Sequence, residues 1–375
     1  MLYIFVFVYT VLGAYLLQKL RLNTLHSNNL IFINTNKKSI VLHENIIFFL
    51  ILAILVFTPL IAVHAFRYGF PSDYRGTYYG LFYQSQSEIS RRMLRSDGIE
   101  VGYIFLNELV GKFTNNYVWA LTCSSIVTFI ILIIDIHRNV RVEAYALAVS
   151  MIFLSGFYFD SMQIVRQTLA ASIWAFGIRY VYNRSFLKYL ITIFVASLFH
   201  TSVWIMLPFY FLYRSNYKKV YVILTVFVTV LCSKFIYKFV EFIVNTVPKY
   251  SIYQGHLLDY SDNQYMYIYI FVLLLSISFC FSERRNKDGF WISIIVFGLC
   301  ASLLSKNIPF ISRVIYYALM ANVFYIPDLI LSIKDNKTKI MVLFAVVVNL
   351  MLIQILHVYI HNWYQAIPYV SIFSK

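Results

Sequence analysis

The sequence has few charged residues for its length, and acidic residues are the scarcer kind. Charged side chains make up 13% of the 375 residues, with 16 Asp and Glu against 31 Lys and Arg, whereas hydrophobic residues reach 61%. So little polar surface excludes a water-soluble globule of this size. The composition instead predicts an all-α, polytopic integral membrane protein in which residues 1–375 form a single membrane domain.

Several motifs that mark other classes of enzyme are absent. The sequence contains no Walker A loop, no glycine-rich dinucleotide turn and no His-Glu-x-x-His motif. Its four cysteines, Cys123, Cys232, Cys280 and Cys300, fall within apolar runs and lack metal-ligand spacing, so we expect them to be small core side chains. We therefore expect no cofactor and no bound metal. Residues 1–17 lack a basic leader and a cleavage site, which predicts a first span.

Long apolar runs are the main feature that the sequence does have. A spanning helix needs about 17 to 25 predominantly apolar residues. The sequence offers candidate segments at 2–18, 45–64, 117–134, 143–159, 163–182, 186–199, 201–213, 220–239, 265–282, 290–305, 312–331 and 340–358. We expect about 12 transmembrane helices, with one or two of the shorter segments re-entrant.

Basic residues concentrate in short gaps between these runs. Six gaps contain Lys19, Arg21, Lys37, Lys38, Arg138, Arg141, Arg179, Arg184, Lys188, Arg214, Lys218, Lys219, Arg284, Arg285, Lys287, Lys334, Lys337 and Lys339. The positive-inside rule places such gaps in the cytoplasm, so the net charge of +15 needs no nucleic-acid partner. The longer segments, at about 65–116, 242–264 and 306–313, are then external, and we expect the functional site on that side.

The longest external segment begins with arginine, aspartate and tyrosines. Arg67 and Asp73 lie close to Tyr74 and Tyr78. A guanidinium binds phosphate oxygens in a bidentate way, and tyrosine rings stack on sugars, so this composition favours a ligand with negative charge and sugar faces. An aromatic belt at the membrane interface is the alternative explanation of the tyrosines.

Two further residues of the external side can exchange protons. Glu100 precedes an amphipathic stretch, 104–112, that we expect to lie along the outer surface. Its carboxylate is either a general base or a helix-capping or salt-bridging acid. His200 lies between two apolar runs and either takes part in chemistry or caps a helix.

A third group of polar residues lies at the starts of apolar helices. A helix beginning near residue 161 would place Gln163, Arg166 and Gln167 on one face, with Arg166 about one turn inside. An arginine in the middle of a bilayer costs about 2.5–3.5 kcal/mol, so Arg166 should face either Asp160 or an anionic ligand. Arg313 starts another outer helix, where a cation opposes the helix dipole, which also favours an anionic ligand.

At these residues the sequence resembles the EpsG-like, Wzy-type bacterial polysaccharide polymerases, the O-antigen polymerase family. The resemblance covers most of residues 65–327 in order. It rests on Arg67, Asp73-Tyr74 and Tyr78, on Glu100-x-Gly-Tyr103, on Ile164-Val-Arg166-Gln167-x-Leu-Ala170, on Phe199-His200-Thr-Ser202 and on Ser312-Arg313.

The resemblance implies a function. Such proteins join oligosaccharide repeat units carried on undecaprenyl pyrophosphate at the outer face of the bacterial cytoplasmic (inner) membrane. The implied fold is of the GT-C glycosyltransferase type. The implied reaction is a metal-independent transfer of the growing chain onto the incoming lipid-linked repeat, without a nucleotide sugar. The partners would be these donor and acceptor lipids, membrane lipids and a chain-length regulator protein.

The resemblance also implies roles for the residues named above. Arginines would stabilise the charge on the departing pyrophosphate, and an acid or histidine would deprotonate the acceptor hydroxyl. The implied substrate-binding residues are Arg67, Arg166, Gln167, Arg313, Tyr74, Tyr78 and Tyr103, and the candidate bases, among which the sequence does not decide, are Asp73, Glu100 and His200.

Three other functions remain alternatives. A flippase or exporter of lipid-linked oligosaccharide would need polar groups through the depth of the membrane, whereas here they concentrate at outer helix ends. A membrane O-acyltransferase could use His200 but would need access to an acyl donor. A polysaccharide ligase shares the donor chemistry with a polymerase.

Overall fold

The computed structural model describes residues 1–30, 38–69, 74–213, 218–247, 254, 266–282, 286–305, 311–362 and 365–374. Asp73, one of the three candidate bases, lies outside these residues. The helices are α1 (Leu2–Leu30), α2 (Lys38–Ala65), α3 (Tyr79–Gln84), α4 (Glu88–Ser96), α5 (Val101–Gly111), α6 (Val118–Asn139), α7 (Tyr145–Leu154), α8 (Phe157–Gln163), α9 (Val165–Tyr182), α10 (Phe186–Ser197), α11 (Lys219–Thr246), α12 (Met266–Phe281), α13 (Asn286–Leu304), α14 (Ser312–Phe324), α15 (Ile326–Leu331) and α16 (Asn336–Gln354). The described parts of the chain contain no β-strand beyond an isolated bridge, which confirms the all-α class.

Six stretches in the described ranges are long and apolar enough to cross a membrane, and a seventh is added if a bent pair of helices counts as one span. The six are Leu2–Asn23, Phe48–Ala65, Val118–Asn139, Lys219–Thr246, Arg313–Leu331 and Asn336–Ile360. The bent pair joins α7 to α8 at 45°. This content supports a polytopic membrane protein, but it confirms neither 12 spanning helices nor the GT-C architecture.

The segments 186–199 and 201–213 differ most from the predicted spans. Helix α10 has 12 residues and is therefore about 18 Å long, against a hydrocarbon core of about 30 Å. The chain turns after α10 and returns as short 3₁₀ helices, Thr201–Met206 and Pro208–Leu212. Tyr189 of α10 donates a hydrogen bond to the Met206 carbonyl (2.8 Å), which holds the return against α10. The two segments form a short return loop, with His200 at its turn.

Helices α6 and α9 run parallel, so their first turns lie on the same face of the bundle. Near their ends, the Arg138 guanidinium of α6 lies 5.4 Å from the Phe176 ring of α9. Near their beginnings, Arg67 donates hydrogen bonds to Ser125 Oγ of α6 (3.2 Å) and to the carbonyl of Met162, just before α9 (2.8 Å). Helix α10 follows α9 after a turn at 183–185, so α10 ends on the face where α9 begins.

The C-terminal segment crosses the chain where it leaves α2. The amide of Tyr68 donates to the Val370 carbonyl (2.8 Å), and the amide of Ile372 donates to the Phe66 carbonyl (2.9 Å). These two bonds flank the bridge between Arg67 and Ser371. They fix the backbone on both sides of Arg67, which the sequence alone gave no reason to expect.

Candidate functional site

A break in the chain precedes Arg166, and it corrects the predicted helix. Helix α8 ends at Gln163, Ile164 takes φ −93° and ψ 52°, and α9 begins at Val165. The freed Gln163 carbonyl accepts a hydrogen bond from the Tyr78 hydroxyl (3.0 Å), which stabilises the break. The prediction of one continuous helix from residue 161 is therefore wrong. Arg166 is the second residue of α9 and lies in its first turn.

A buried ion pair joins Arg166 to Glu100. Arg166 Nη1 lies 2.5 Å from Glu100 Oε2, and the two side chains are 19% and 4% exposed. A cation in the first turn of a helix is unfavourable for the helix dipole, so the carboxylate offsets a repulsion that the fold itself creates. Of the two predicted states of Glu100, the structure contains the salt-bridging one.

The second oxygen of Glu100 faces the return loop. Oε1 lies 3.2 Å from His200 Nδ1, although the ring is not aligned for a linear hydrogen bond, and it accepts from the Thr201 amide (3.2 Å). The Gly102 amide donates to the Leu198 carbonyl (2.7 Å), which fixes the start of α5 against the end of α10. One carboxylate therefore stands between an arginine and a histidine that come from separate parts of the chain.

These contacts set the charge states at neutral pH. Burial raises the pKa of Glu100, but His200 and the Arg166 guanidinium outweigh burial and bring it to about 2. Burial lowers the pKa of His200; the Glu100 carboxylate opposes this, and the positive charges of Arg166 and Arg313 add to it. An anionic Glu100 therefore faces a neutral His200, whose imidazole can accept a proton.

Helix α14 brings a second arginine to this site. Gln167 Nε2 donates a hydrogen bond to the Arg313 carbonyl, which joins the first turns of α9 and α14. Ser202 of the return loop shares a hydrogen bond with the Tyr317 hydroxyl of α14 (2.9 Å). Arg313 is exposed and, like Arg166, is the second residue of its helix. Two helix N-termini, each with an arginine, are thus held together beside His200, an arrangement that favours anions.

Arg67 has different surroundings. It is 1% exposed, and its guanidinium donates to the His64 carbonyl (2.5 Å), to Ser125 Oγ (3.2 Å) and to the Met162 carbonyl (2.8 Å). His64 Nε2 in turn shares a hydrogen bond with Ser161 Oγ (2.7 Å). A guanidinium enclosed in this way organises the protein backbone, so this placement does not favour the predicted contact between Arg67 and phosphate.

The three tyrosines predicted to bind sugar lie beneath the site. Tyr74 and Tyr103 are 1% exposed and Tyr78 is 6% exposed. The Tyr74 hydroxyl donates to the Arg67 carbonyl (3.2 Å), and the rings of Tyr78 and Tyr103 pack edge to face, 6.0 Å apart. Such burial favours neither sugar stacking nor an aromatic belt at the membrane interface. Tyr78 instead supports the Gln163 break, and the Tyr103 ring lies 6.0 Å from the Arg166 guanidinium in the first turn of α9.

Sequence reasoning missed Gly102 and Thr201 as parts of the site. Gly102 belongs to the Glu100-x-Gly pattern, and the close approach of two backbones is the physical reason for a residue without a side chain. Within the described ranges, no group of three or more His, Cys, Asp or Glu could hold a metal ion. Metal independence stays a prediction.

Adding a methyl group at Gly102 should separate Glu100 from His200. A Cβ there would lie 2.7 Å from the Leu198 carbonyl oxygen and 3.0 Å from Leu198 Cβ, so α5 must move. We expect Gly102→Ala to destabilise the protein by about 1–3 kcal/mol, as overpacking typically does. Gly80→Ala is the matched control, because a Cβ at this helical glycine of α3 meets nothing within 4 Å. Thermal unfolding in detergent compares them; equal melting temperatures would contradict the close approach.

The low pKa of Glu100 predicts an acid-sensitive stability. Its pKa is displaced from the ordinary value of 4.5 to about 2, so the ionised carboxylate stabilises the folded protein. Because the folded pKa is the lower one, this stability is fully present above about pH 4.5 and is lost as the pH falls towards about 2. Thermal unfolding from pH 6 to 2 should therefore show a steeper loss for the native protein than for Glu100→Gln. Parallel curves would contradict an ionised, paired Glu100.

A known protein family matches most of the chain. The sequence model of the EpsG family matches residues 47–371, a range that includes Glu100, Arg166, His200 and Arg313. No curated protein and no solved structure matches the chain. Because the family match extends over most of the sequence, the chain belongs to the EpsG family, whose members are polysaccharide polymerase-like glycosyltransferases of the membrane.

Proposed function

We propose that the protein polymerises oligosaccharide repeat units carried on undecaprenyl pyrophosphate. It would transfer the growing chain from its lipid pyrophosphate onto the incoming lipid-linked repeat, at the outer face of the bacterial cytoplasmic membrane. The observation that carries this proposal is the Glu100 carboxylate, whose two oxygens are divided between Arg166 and His200. That arrangement combines a site for an anionic leaving group with a base.

The donor half of the reaction would use the arginines. As the bond between the anomeric carbon and the phosphate oxygen breaks, its electron pair passes to the pyrophosphate, and fixed positive charge stabilises the product. Arg166 and Arg313 supply that charge, together with the N-termini of α9 and α14. Glu100 holds the Arg166 guanidinium in place before the lipid arrives. Arg67 and the tyrosines act as positioning residues.

The acceptor half would use His200. A sugar hydroxyl of the incoming repeat attacks the anomeric carbon and transfers its proton to the imidazole as the new glycosidic bond forms. His200 suits this role better than Glu100, because a carboxylate with a pKa of about 2 is a weak base at neutral pH. The Glu100 carboxylate, 3.2 Å from His200 Nδ1, stabilises the imidazolium that forms. The products are the lengthened chain on the incoming lipid and free undecaprenyl pyrophosphate.

The proposal is tested with purified protein in liposomes that contain a synthetic undecaprenyl-pyrophosphate repeat unit. The reaction contains a chelator and no nucleotide sugar, and its products are separated on a gel that resolves repeat lengths. We expect a ladder of oligomers. Activity that appears only when a divalent metal replaces the chelator would reject metal independence but keep the polymerase.

Binding of the lipid without a ladder would reject autonomous polymerisation. In that case two further measurements separate the alternatives. Movement of the lipid across the liposome bilayer would identify a flippase, and transfer of preformed polymer to a second acceptor would identify a ligase. A ladder that appears only when a chain-length regulator protein is added would assign polymerisation to the complex of the two proteins.

A further inference from the structure

Helix α5 lies across the ends of the bundle helices and does not span the membrane. Its beginning is held at the end of α10 by the hydrogen bond between the Gly102 amide and the Leu198 carbonyl. Its end at Gly111 is followed closely by Val118, where α6 begins. The end of α10 and the beginning of α6 lie on the face that carries Glu100 and Arg166. An 11-residue helix is about 16 Å long, so α5 runs along that face from one helix end towards another.

One side of α5 exposes large apolar side chains at intervals of four residues. Val101, Phe105 and Leu109 are 49%, 60% and 43% exposed, and Phe113 continues the row just past the helix end with 84%. Helical residues four apart are neighbours on the helix surface, so Val101, Phe105 and Leu109 form a gently winding strip on one side of α5. The opposite side is buried and contains Tyr103, Ile104 and Asn107. We call the row of four exposed residues the apolar row.

We infer that α5 is seated in the plane of the membrane interface, with the apolar row in the boundary between lipid head groups and acyl chains. The occupant of this surface would be the lipid of the bilayer that the protein crosses. Helices placed in this way bury an apolar face at the interface and keep polar residues towards water. Lys112 is exposed beside Phe113, where its ammonium group can reach head-group phosphates.

An exposed tryptophan near the end of α5 supports this position in the interface. Trp119, in the first turn of α6, is 39% exposed, and tryptophan is enriched at the level of the head groups. Because α6 is long and apolar enough to cross the membrane, its first turn would lie at the membrane boundary. The end of α5 lies next to that turn. An aqueous position for the whole row would leave four large apolar side chains in water at this boundary.

The position of α5 in the membrane interface would set the depth of the candidate site. Glu100 immediately precedes α5, so the depth of α5 fixes the depth of the carboxylate and of its partner Arg166. A pyrophosphate attached to a membrane lipid lies at the level of the head groups, where this pair would meet it. This consequence rests on the proposed polymerase function, whereas the position of α5 in the interface does not.

Spin labels on single cysteines measure the depth directly. The full-length protein is reconstituted in liposomes after serine or alanine has replaced Cys123, Cys232, Cys280 and Cys300. Labels are then placed at Phe105→Cys and Leu109→Cys. A label at Asp97→Cys, an exposed position at the end of α4, is the polar control. Ile130→Cys, exposed near the middle of the span of α6, supplies a reference inside the bilayer. Each label is then relaxed by molecular oxygen, which concentrates in lipid, and by a water-soluble nickel chelate.

We expect labels at 105 and 109 to be relaxed more by oxygen than by nickel, at a depth shallower than that of residue 130. The label at 97 should show the reverse order. Preferential relaxation by nickel at 105 and 109 would overturn the inference by placing the row in water. Protection from both reagents would overturn it by placing the row against another protein chain. Neither measurement depends on polymerase activity. A wrong position for α5 can therefore be distinguished from a wrong proposed function.

Discussion

Arg166→Ala is expected to abolish the oligomer ladder and to destabilise the protein by about 3–5 kcal/mol, because it leaves a carboxylate buried without its cation. Glu100, with a side chain only 4% exposed, is the group left behind. The same change removes a positive charge from the proposed pyrophosphate site, so activity is lost for two separate reasons. Thermal unfolding in detergent and the liposome polymerisation assay measure the two effects.

A second variant separates stability from catalysis. Adding Glu100→Gln to Arg166→Ala removes the stranded charge, so we expect much of the lost stability to return. The single variant Glu100→Gln is the matched control, since it keeps Arg166 but weakens the same contacts. We expect reduced activity in this single variant and none in the double variant. Equal activity in the two would show that Arg166 serves only to neutralise Glu100, which would remove it from the pyrophosphate site.

His200→Gln should produce the second large effect, a fall in turnover of about 10²- to 10⁴-fold with binding of the lipid substrate retained, which is the usual contribution of a general base. A neutral imidazole is required, so the rate of the native protein should fall as the pH drops through the pKa of His200. Burial places that pKa below the ordinary value of 6.5. The native rate is therefore expected to be level near neutral pH and to decline only in acid.

The pH profile tests the role of His200 independently of the size of the loss. The acid decline should disappear in His200→Gln, because glutamine does not titrate. His361→Gln, at an exposed position after α16, is the matched control and should keep both the rate and the profile of the native protein. An acid decline that persists unchanged in His200→Gln would assign the proton transfer to another group. Loss of lipid binding together with turnover would assign His200 to binding.

The candidate site shows how far residue types alone can lead. Arg166 stood out in the sequence because a charge within an apolar helix is expensive, and Arg313 because a cation opposes the dipole at a helix start. Glu100 and His200 stood out because they can exchange protons. Their contacts were less accessible to sequence reasoning. The partner of Arg166 comes from 66 positions earlier in the chain, and the break at Ile164 interrupts a stretch whose apolar pattern predicts one helix. Hydrophobic periodicity reports burial along a helix and not the dihedral angles of a single residue between two helices.

For Arg67 and the tyrosines, the sequence predicted the residue types of interest but not their surroundings. The sequence pattern of an arginine beside tyrosines is the same whether these side chains face solvent or the protein interior. The pattern therefore predicts a ligand surface in both cases. Tertiary packing decided the matter, because the carbonyl groups of His64 and Met162 converge on one guanidinium. The C-terminal segment contributes in the same way, since its bonds to the backbone around Arg67 join residues about 300 positions apart.

By itself the sequence determined that the chain is helical and embedded in a membrane, because its apolar content and sparse charge leave no soluble alternative. It also identified the polar residues whose placement in or beside apolar helices costs enough free energy to require a partner or a ligand. Only the tertiary structure decided which of them meet. Helix breaks, the return loop after α10 and the contact between Gly102 and Leu198 depend on surfaces supplied by distant segments. A charge pattern records that a cation needs a partner, whereas the packing of the helices determines which partner it finds.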